Sequence, residues 1–352
     1  MGNKILFVSG GMGCGGAERV ISILANHYAE QGWKVGIVLM LCSEVAYPLN
    51  EKINIFDMTV EGKSRIGTLP HWLKGIRKTV KTFNPDVVVS FVARVNIITL
   101  ISLFGLHKKI IISERNDPYC DGRGFLTVAG TKILYPYAFK LVLQTRRSQN
   151  YFSEKIRKNS VIIPNPVQVY EYAGSIKKKK IVSVGRLAKQ KNHKLLIRAF
   201  GQISKQFPDY ELWIYGEGEM RGELESLLKR KGIADKVFLP GIVKDVHHQI
   251  ADALVFVLSS DYEGLSNALL EAMIMGLPCI STNCAGADEV IQNGKNGIIV
   301  PVGDKDGLAR AIAGILCDSK KREEMGRMAH YSGKKYSVDK VLKKWDRIIK
   351  VD

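Results

Sequence analysis

Two carboxylates separated by seven residues, Glu263 and Glu271, carry the most specific chemical signal in the sequence. They lie in DYEGLSNALLEAM (261–273), where Glu263 precedes Gly264 in a loop and Glu271 falls one turn inside a helix starting near Ser266-Asn267. A loop carboxylate accepts hydrogen bonds from sugar hydroxyls, and one a turn into a helix reaches a ribose diol. The free N–H groups of a helix start receive phosphate. The alternative is a pair of helix-end acids favoured by the dipole. Upstream, VGRLAKQKN (184–192) places Arg186 and Lys191 in a strand-to-helix loop, with Lys189 as a solvated neighbour. Paired cations there clamp a diphosphate.

Near the start, GGMGCGG contains a literal G-x-G-x-x-G at Gly11, Gly13 and Gly16, between a strand and a helix. A dinucleotide site needs an acid at the end of the second strand. That strand reads KVGIVLML, and the first acid after it is Glu44. What remains is a glycine loop whose N–H groups approach a phosphate, or a plain tight turn. Gly62-Lys63-Ser64 has the tail of a Walker A loop, but Asp57 stands where its first glycine belongs. Asp304-Lys305-Asp306 precedes a helix, so Asp304 reads as its N-cap and no metal is assigned. The histidines show no ligand spacing, and His247 and His248 are adjacent.

These residues need a scaffold. Short apolar strands at 4–10, 34–41, 85–91, 110–115 and 139–145 alternate with helix patterns such as 17–32. Continuous apolar strands between helices indicate a parallel sheet covered on both faces. VIIPNPV (161–167) reads as a linker. Alternation then restarts, with strands at 180–186, 210–218, 236–241, 253–260, 278–282 and 297–302, and helices at 191–207, 222–233, 267–276 and 305–317. The end of the chain is one amphipathic helix with Val338, Leu342, Trp345 and Ile349 on a face. It is expected to cross back to the first half.

The length of 352 residues suits two such domains. The net charge of +18 is concentrated toward the first half. Such a surface seeks anions, or is a lysine-rich solvated exterior. The longest apolar run, Ile97–Leu106, contains Thr99 and Ser102 and is too short for a membrane span. MGNKILFVSGG is too short for a signal peptide. The six scattered cysteines read as free thiols in a reducing compartment.

Two α/β halves, a GGAE loop from Gly15 to Glu18, the Arg186 and Lys191 pair and the Glu263 and Glu271 spacing together resemble family 4 glycosyltransferases. The resemblance covers essentially the whole chain, IPNPV and the last helix included. It implies the GT-B fold, two doubly wound, Rossmann-like parallel-sheet domains facing a central cleft. Residues 1–165, joined by helix 336–352, would bind the acceptor. Residues 166–335 would bind a nucleotide-diphosphate sugar. The implied reaction is a retaining, metal-independent hexosyl transfer, with a UDP-sugar favoured as donor and no cofactor.

By position, Arg186 and Lys191 would hold the diphosphate and offset the leaving-group charge. Glu271 would bond the ribose, and Glu263 the transferred sugar. Backbone at Leu265, Ser266 and Asn267 would meet sugar or phosphate oxygens. Gly15 and Gly16 would bring the first-half loop to the diphosphate, and Gly241 to Val243 would flank the base. The transition state would be oxocarbenium-like. Many family members carry a histidine in the loop that reads Ser113-Glu114-Arg115-Asn116-Asp117-Pro118 here. In its place Glu114 would orient the acceptor, Arg115 would meet phosphate and Asn116 would belong to the acceptor side, or Glu114 and Arg115 would form a structural pair.

TLPHWLKGIRKTVKTF (68–83) is an amphipathic helix with Leu69, Trp72, Leu73, Ile76, Val80 and Phe83 on one stripe. Lys74, Arg77, Lys78 and Lys81 form a basic face. That pattern suits an anionic membrane or a lipid-diphosphate acceptor, or packs on the domain with its lysines in water. Enzymes with similar GGAER and ISER-type loops elongate lipid-diphosphate-linked glycans in bacteria. The expectation is therefore a cytoplasmic enzyme, peripheral on the inner membrane face, adding a hexose or N-acetylhexosamine to a polyprenyl-diphosphate-linked or soluble glycan. Two other readings are an epimerase-like GT-B enzyme and a basic nucleic-acid-binding protein. The second lacks any RRM, zinc or helix-turn-helix signature, so no nucleic-acid partner is expected.

Overall fold

The computed structural model describes residues 3–13, 15–60, 67–169, 177–284 and 286–350. Gly62-Lys63-Ser64 lies outside them. The chain divides into two compact units, Met1–Pro166 with Asp339–Asp352, and Val167–Val338.

The first unit runs β1 (Lys4–Ser9), α1 (Gly16–Glu30), β2 (Lys34–Leu39), β3 (Asn54–Asp57), α2 (Leu69–Phe83), β4 (Val87–Phe91), α3 (Ala93–Leu103), β5 (Lys109–Ser113), α4 (Phe125–Leu134), β6 (Lys140–Leu143), α5 (Arg146–Asn150), α6 (Glu154–Arg157) and β7 (Ser160–Ile162). Its parallel sheet has the order β3-β2-β1-β4-β5-β6-β7. The inner strands are buried along their length, as a sheet covered on both faces requires. The 161–167 linker reading is corrected at its start, because Val161 and Ile162 belong to β7, paired with β6 before Pro164 ends the ladder. β3 gives little sequence signal because it is a short, largely exposed edge strand.

The second unit runs β8 (Lys180–Val184), α7 (His193–Ile203), β9 (Glu211–Tyr215), α8 (Arg221–Lys231), β10 (Val237–Gly241), α9 (Val246–Ile250), β11 (Val255–Leu258), α10 (Asn267–Ile274), β12 (Cys279–Thr282), α11 (Ala287–Val290), β13 (Ile298–Val300), α12 (Lys305–Cys317) and α13 (Ser319–Gly333). The strand order is β10-β9-β8-β11-β12-β13. The sheet is again parallel. Asp304 caps α12, its carboxylate accepting from the Gly307 N–H at 2.8 Å. α13 escapes the apolar pattern because its buried stripe is largely small, with Met325, Gly326, Ala329 and Gly333 facing inward. It packs on α10, and His330 Nδ1 lies 2.5 Å from the Ile274 carbonyl.

The last helix, α14 (Val338–Ile349), belongs largely to the first unit. It buries Val341, Leu342, Trp345, Ile348 and Ile349, while Val338 stays half-buried. The Tyr28 hydroxyl donates to Asp346 at 2.8 Å, and Lys109 Nζ to the Ile349 carbonyl at 3.1 Å. Trp345 is fully buried. Trp345→Ala is expected to cost about 3–5 kcal/mol, read as a lower denaturation midpoint with α10 and its surroundings unchanged by hydrogen exchange.

Candidate functional site

In the second sheet β8 is the first strand of the unit, with β9 on one side and β11 on the other. Chain direction across the sheet reverses there, and ligands of open α/β sheets bind outside the strand ends at such a switch point. The loops after β8 and β11 carry Arg186, Lys191 and Glu263, and they are laced together. Lys191 Nζ donates to Glu263 Oε1 at 2.5 Å, and Ser260 Oγ donates to the same oxygen at 2.7 Å. The Asp261 N–H donates to the Gln190 carbonyl at 2.9 Å, and Gln190 Nε2 to the Tyr262 carbonyl at 2.8 Å. Asn192 Nδ2 donates to Asp261 Oδ1 at 2.7 Å. Glu263 is buried and Lys191 half-buried, so neighbours hold both heads in place.

Arg186 projects to solvent from a braced loop. Gly185 N–H donates to Tyr215 O and Leu187 N–H to Glu217 O, both at 2.9 Å. Gly216 is required for this approach, since its φ is +139° and a Cβ there would stand 2.1 Å from the Gly185 carbonyl oxygen. The Gly216 N–H in turn donates to the carbonyl of Gly241 at 2.9 Å. Val243 is half-buried just beyond.

Ser266 caps α10, its hydroxyl accepting from the Leu269 N–H at 3.4 Å. Leu265 and Ser266 are buried at the helix start, and Asn267 opens the helix. Glu271 is buried one turn in, with its Oε2 3.1 Å from His247 Nε2 on α9. Nothing in the sequence around His247 marks it as a carboxylate partner, because Glu271 lies on a different helix. Among the described residues no group of three or more His, Cys, Asp or Glu is disposed to hold a metal ion.

His193, the first residue of α7, is buried near Lys191. Burial, reinforced by the Lys191 charge, pushes it from its ordinary 6.5 to about 4. The loop thus carries a neutral imidazole where a further cation would compete with Lys191.

In the first unit Gly15 caps α1 and Gly16 begins it. The Glu18 carboxylate folds back over this start, where a Cβ on Gly15 would lie 2.1 Å from Oε2. Burial raises the Glu18 carboxyl above its ordinary value. At the end of β4, Val92 has φ +75°, strained backbone for a β-branched residue, at the switch point between β1 and β4.

The loop after β5 corrects two expectations. Glu114 does not pair with Arg115. It is buried with one oxygen bonded by the Tyr135 hydroxyl and the other 3.2 Å from Arg123 Nη2. Desolvation raises its carboxyl, and Arg123 opposes the rise. Both oxygens are committed to this network. Arg115 turns inward as well. Its guanidinium lies 5.0 Å from the Phe91 ring centre and 5.7 Å from that of Trp345, and Nη1 donates to Asn165 Oδ1 at 2.9 Å. Burial lowers its proton affinity, and the ring faces offset that. Asn116 remains exposed.

Of the two readings of the amphipathic helix, the structure takes the one in which its apolar stripe packs on the domain, so Trp72 is corrected as a membrane contact. It is buried with its Nε1 donating to the Met58 carbonyl at 3.3 Å. Arg77 donates from Nη1 to the Ser102 and Phe104 carbonyls, both at 2.9 Å, and so closes the end of α3. Lys74, Lys78 and Lys81 are exposed. Among the described residues no helix is long and apolar enough to cross a membrane.

Two parallel-sheet α/β units, one with a laced cation–carboxylate site at its switch point, make up the GT-B fold. The fold matches solved structures across nearly the whole chain. One is the Anabaena HepE protein in complex with UDP (TM-score 0.84, 18% identity, 99% of each chain). Another is a Thermosynechococcus elongatus sucrose-phosphate synthase (TM-score 0.86, 16% identity, 99% of this chain and 98% of that one). Residues 173–330 match the family described as glycosyl transferases group 1. The chain therefore carries a glycosyltransferase group 1 domain and is a transferase enzyme. A Campylobacter jejuni relative, 27% identical over 360 residues and 98% of both chains, is named as an alpha-1,4-N-acetyl-D-galactosaminyltransferase acting on a GalNAc-extended diNAcBac-PP-undecaprenol. A Haemophilus influenzae glycosyltransferase is 25% identical over 340 residues, 95% of this chain and 96% of its own.

His193 gives a pH-dependent stability. Its folded value lies below its ordinary one, so on acidification the unfolded chain binds a proton first. Stability is expected to fall as the pH drops from about 6.5 to about 4, by up to about 3 kcal/mol. Calorimetric Tm across that window should fall less steeply in His193→Gln.

Proposed function

We propose that this enzyme moves a hexose or N-acetylhexosamine from a UDP-sugar to a polyprenyl-diphosphate-linked glycan, with retention and without a metal, at the inner membrane face. The observation that carries the reading is the Lys191–Glu263 pair held between the two loops of the β8/β11 switch point, with Arg186 exposed on the first of them. The UDP-bound neighbour and the relative named for a PP-undecaprenol acceptor support the choice of substrates.

The donor diphosphate binds Arg186, Lys191 and the start of α10. Glu271, positioned by His247, bonds the ribose, and backbone at Gly241 and Val243 flanks the base. Glu263 bonds hydroxyls of the transferred sugar. As the bond between the anomeric carbon and the phosphate oxygen lengthens, positive charge grows on the sugar and negative charge on the diphosphate. Arg186 and Lys191 stabilise the latter. The acceptor hydroxyl attacks the same face and gives its proton to the departing phosphate oxygen. In the first unit the α1 start, with Gly15 and Gly16, receives phosphate once Glu18 swings aside, and Asn116 contacts the acceptor. Glu114 and Arg115 position that loop from within.

UDP is expected to raise Tm, with GDP and ADP doing so less. Saturation near a hundred times Kd adds about 2.7 kcal/mol. Lys191→Ala and Glu271→Ala should abolish the shift, while His247→Ala should weaken nucleotide affinity and His247→Gln restore part of it. A UDP shift unchanged in both Lys191→Ala and Glu271→Ala would overturn the donor site. Retention is checked by the anomeric configuration of the product, and metal independence by unchanged turnover in EDTA.

A further inference from the structure

Helices α2, α3 and α4 pack side by side in the first unit, α2 on α3 and α3 on α4. The outer side of α4 is apolar and open. Phe125 and Leu126 are each 83% exposed, Ile133 65%, Tyr137 70%, Phe104 71% and Ile101 45%. Leu126, Ile133 and Tyr137 recur at i, i+7 and i+11, so they form one stripe along α4 and the turn after it. Tyr137 meets Phe104 edge-on at 6.5 Å, which carries the stripe onto the end of α3. Ile101 continues it one turn back. Isolated exposed apolar side chains are ordinary, but a connected line of large ones marks an interaction surface.

The charge beside this line identifies the occupant. Arg77 bonds the Phe104 carbonyl, so the basic face of α2 abuts the end of the stripe. Lys74, Lys78 and Lys81 stand exposed on that face, and Lys132 is exposed on α4 itself. A second copy docked symmetrically would bring these lysines against their equivalents in a chain of net charge +18. An anionic lipid surface would take the ring and aliphatic groups into its interface and the ammonium groups against its phosphates. We propose that the α2–α3–α4 face of the first unit docks on an anionic bilayer, with the Phe125/Leu126 end of α4 as the inserted element. This rests on the lipid-linked acceptor reading and gives it a location, one that differs from the expected Trp72 face.

The test is co-sedimentation of the full chain with vesicles of phosphatidylglycerol in phosphatidylcholine, against phosphatidylcholine alone. Wild type is expected to partition onto the anionic vesicles. Phe125→Ser with Leu126→Ser should lower partition by roughly tenfold or more while leaving the UDP-induced Tm shift intact. Leu126→Trp should show blue-shifted emission on anionic vesicles, quenched by brominated lipid. Wild type that stays in solution, or a double variant that partitions equally, overturns the proposal. So does light scattering in which the double variant alone loses a dimer, since the face would then be a self-interface. Vesicle binding by a chain whose Tm no UDP shifts would sink the donor-site reading and leave the docking face standing.

Discussion

Everything in the second unit converges on one contact, the Lys191 ammonium against the Glu263 carboxylate. Neither residue lies on a strand, yet both are held within hydrogen-bond reach. The constraint behind this is the adjacency of β8 and β11, which are distant in sequence but neighbours in the sheet. A backbone bond from Asp261 to Gln190 and one from the Gln190 side-chain amide to the Tyr262 carbonyl then tie the two loops together. A half-buried ion pair is costly to assemble in a flexible loop and cheap in one already ordered. The pair is thus held in place by the loops around it.

The first unit solves a different problem. Its loop after β5 turns two charged side chains inward, and each has a specific partner. Glu114 has Tyr135 and Arg123. Arg115 has Asn165 and two aromatic rings, one of them on α14. An inward charge is costly unless every neighbour is in place, so the loop shape depends on residues more than two hundred positions away. The strained backbone at Val92 sits next to this network, and its N–H donates to the carbonyl of Ser113 at 2.9 Å.

The readable parts of the sequence were those whose meaning is local. The apolar strands, the helix periodicity of α2 and α14, the Asp304 cap and the order of the loop motifs all follow from neighbours within a few residues. The unread parts were decided by tertiary partners. The spacing that put Trp72 on an amphipathic stripe was right, but only the packing of Met58 over α2 shows that the stripe faces the core. Arg77 shares a face with three solvated lysines and still turns to the end of α3. His247 gains meaning only once α9 lies against α10. α13 is hidden because, Met325 apart, its buried surface is glycine and alanine, which carry little hydropathy signal.

Because α14 completes a sheet layer that starts with residue 4, the chain leaves the ribosome in an order unlike its architecture. The strands of the first unit emerge early and the whole of the second follows as a continuous stretch. The tryptophan that covers Phe91 and Arg115 emerges only after that stretch. Until it arrives, the sheet of the first unit carries an uncovered aromatic face, and Arg115 lacks one of its two ring partners. The second unit behaves as an insertion whose own folding comes before the closing of its host. Translation pauses or folding defects after residue 166 would therefore register as proteolysis of a segment made long before them.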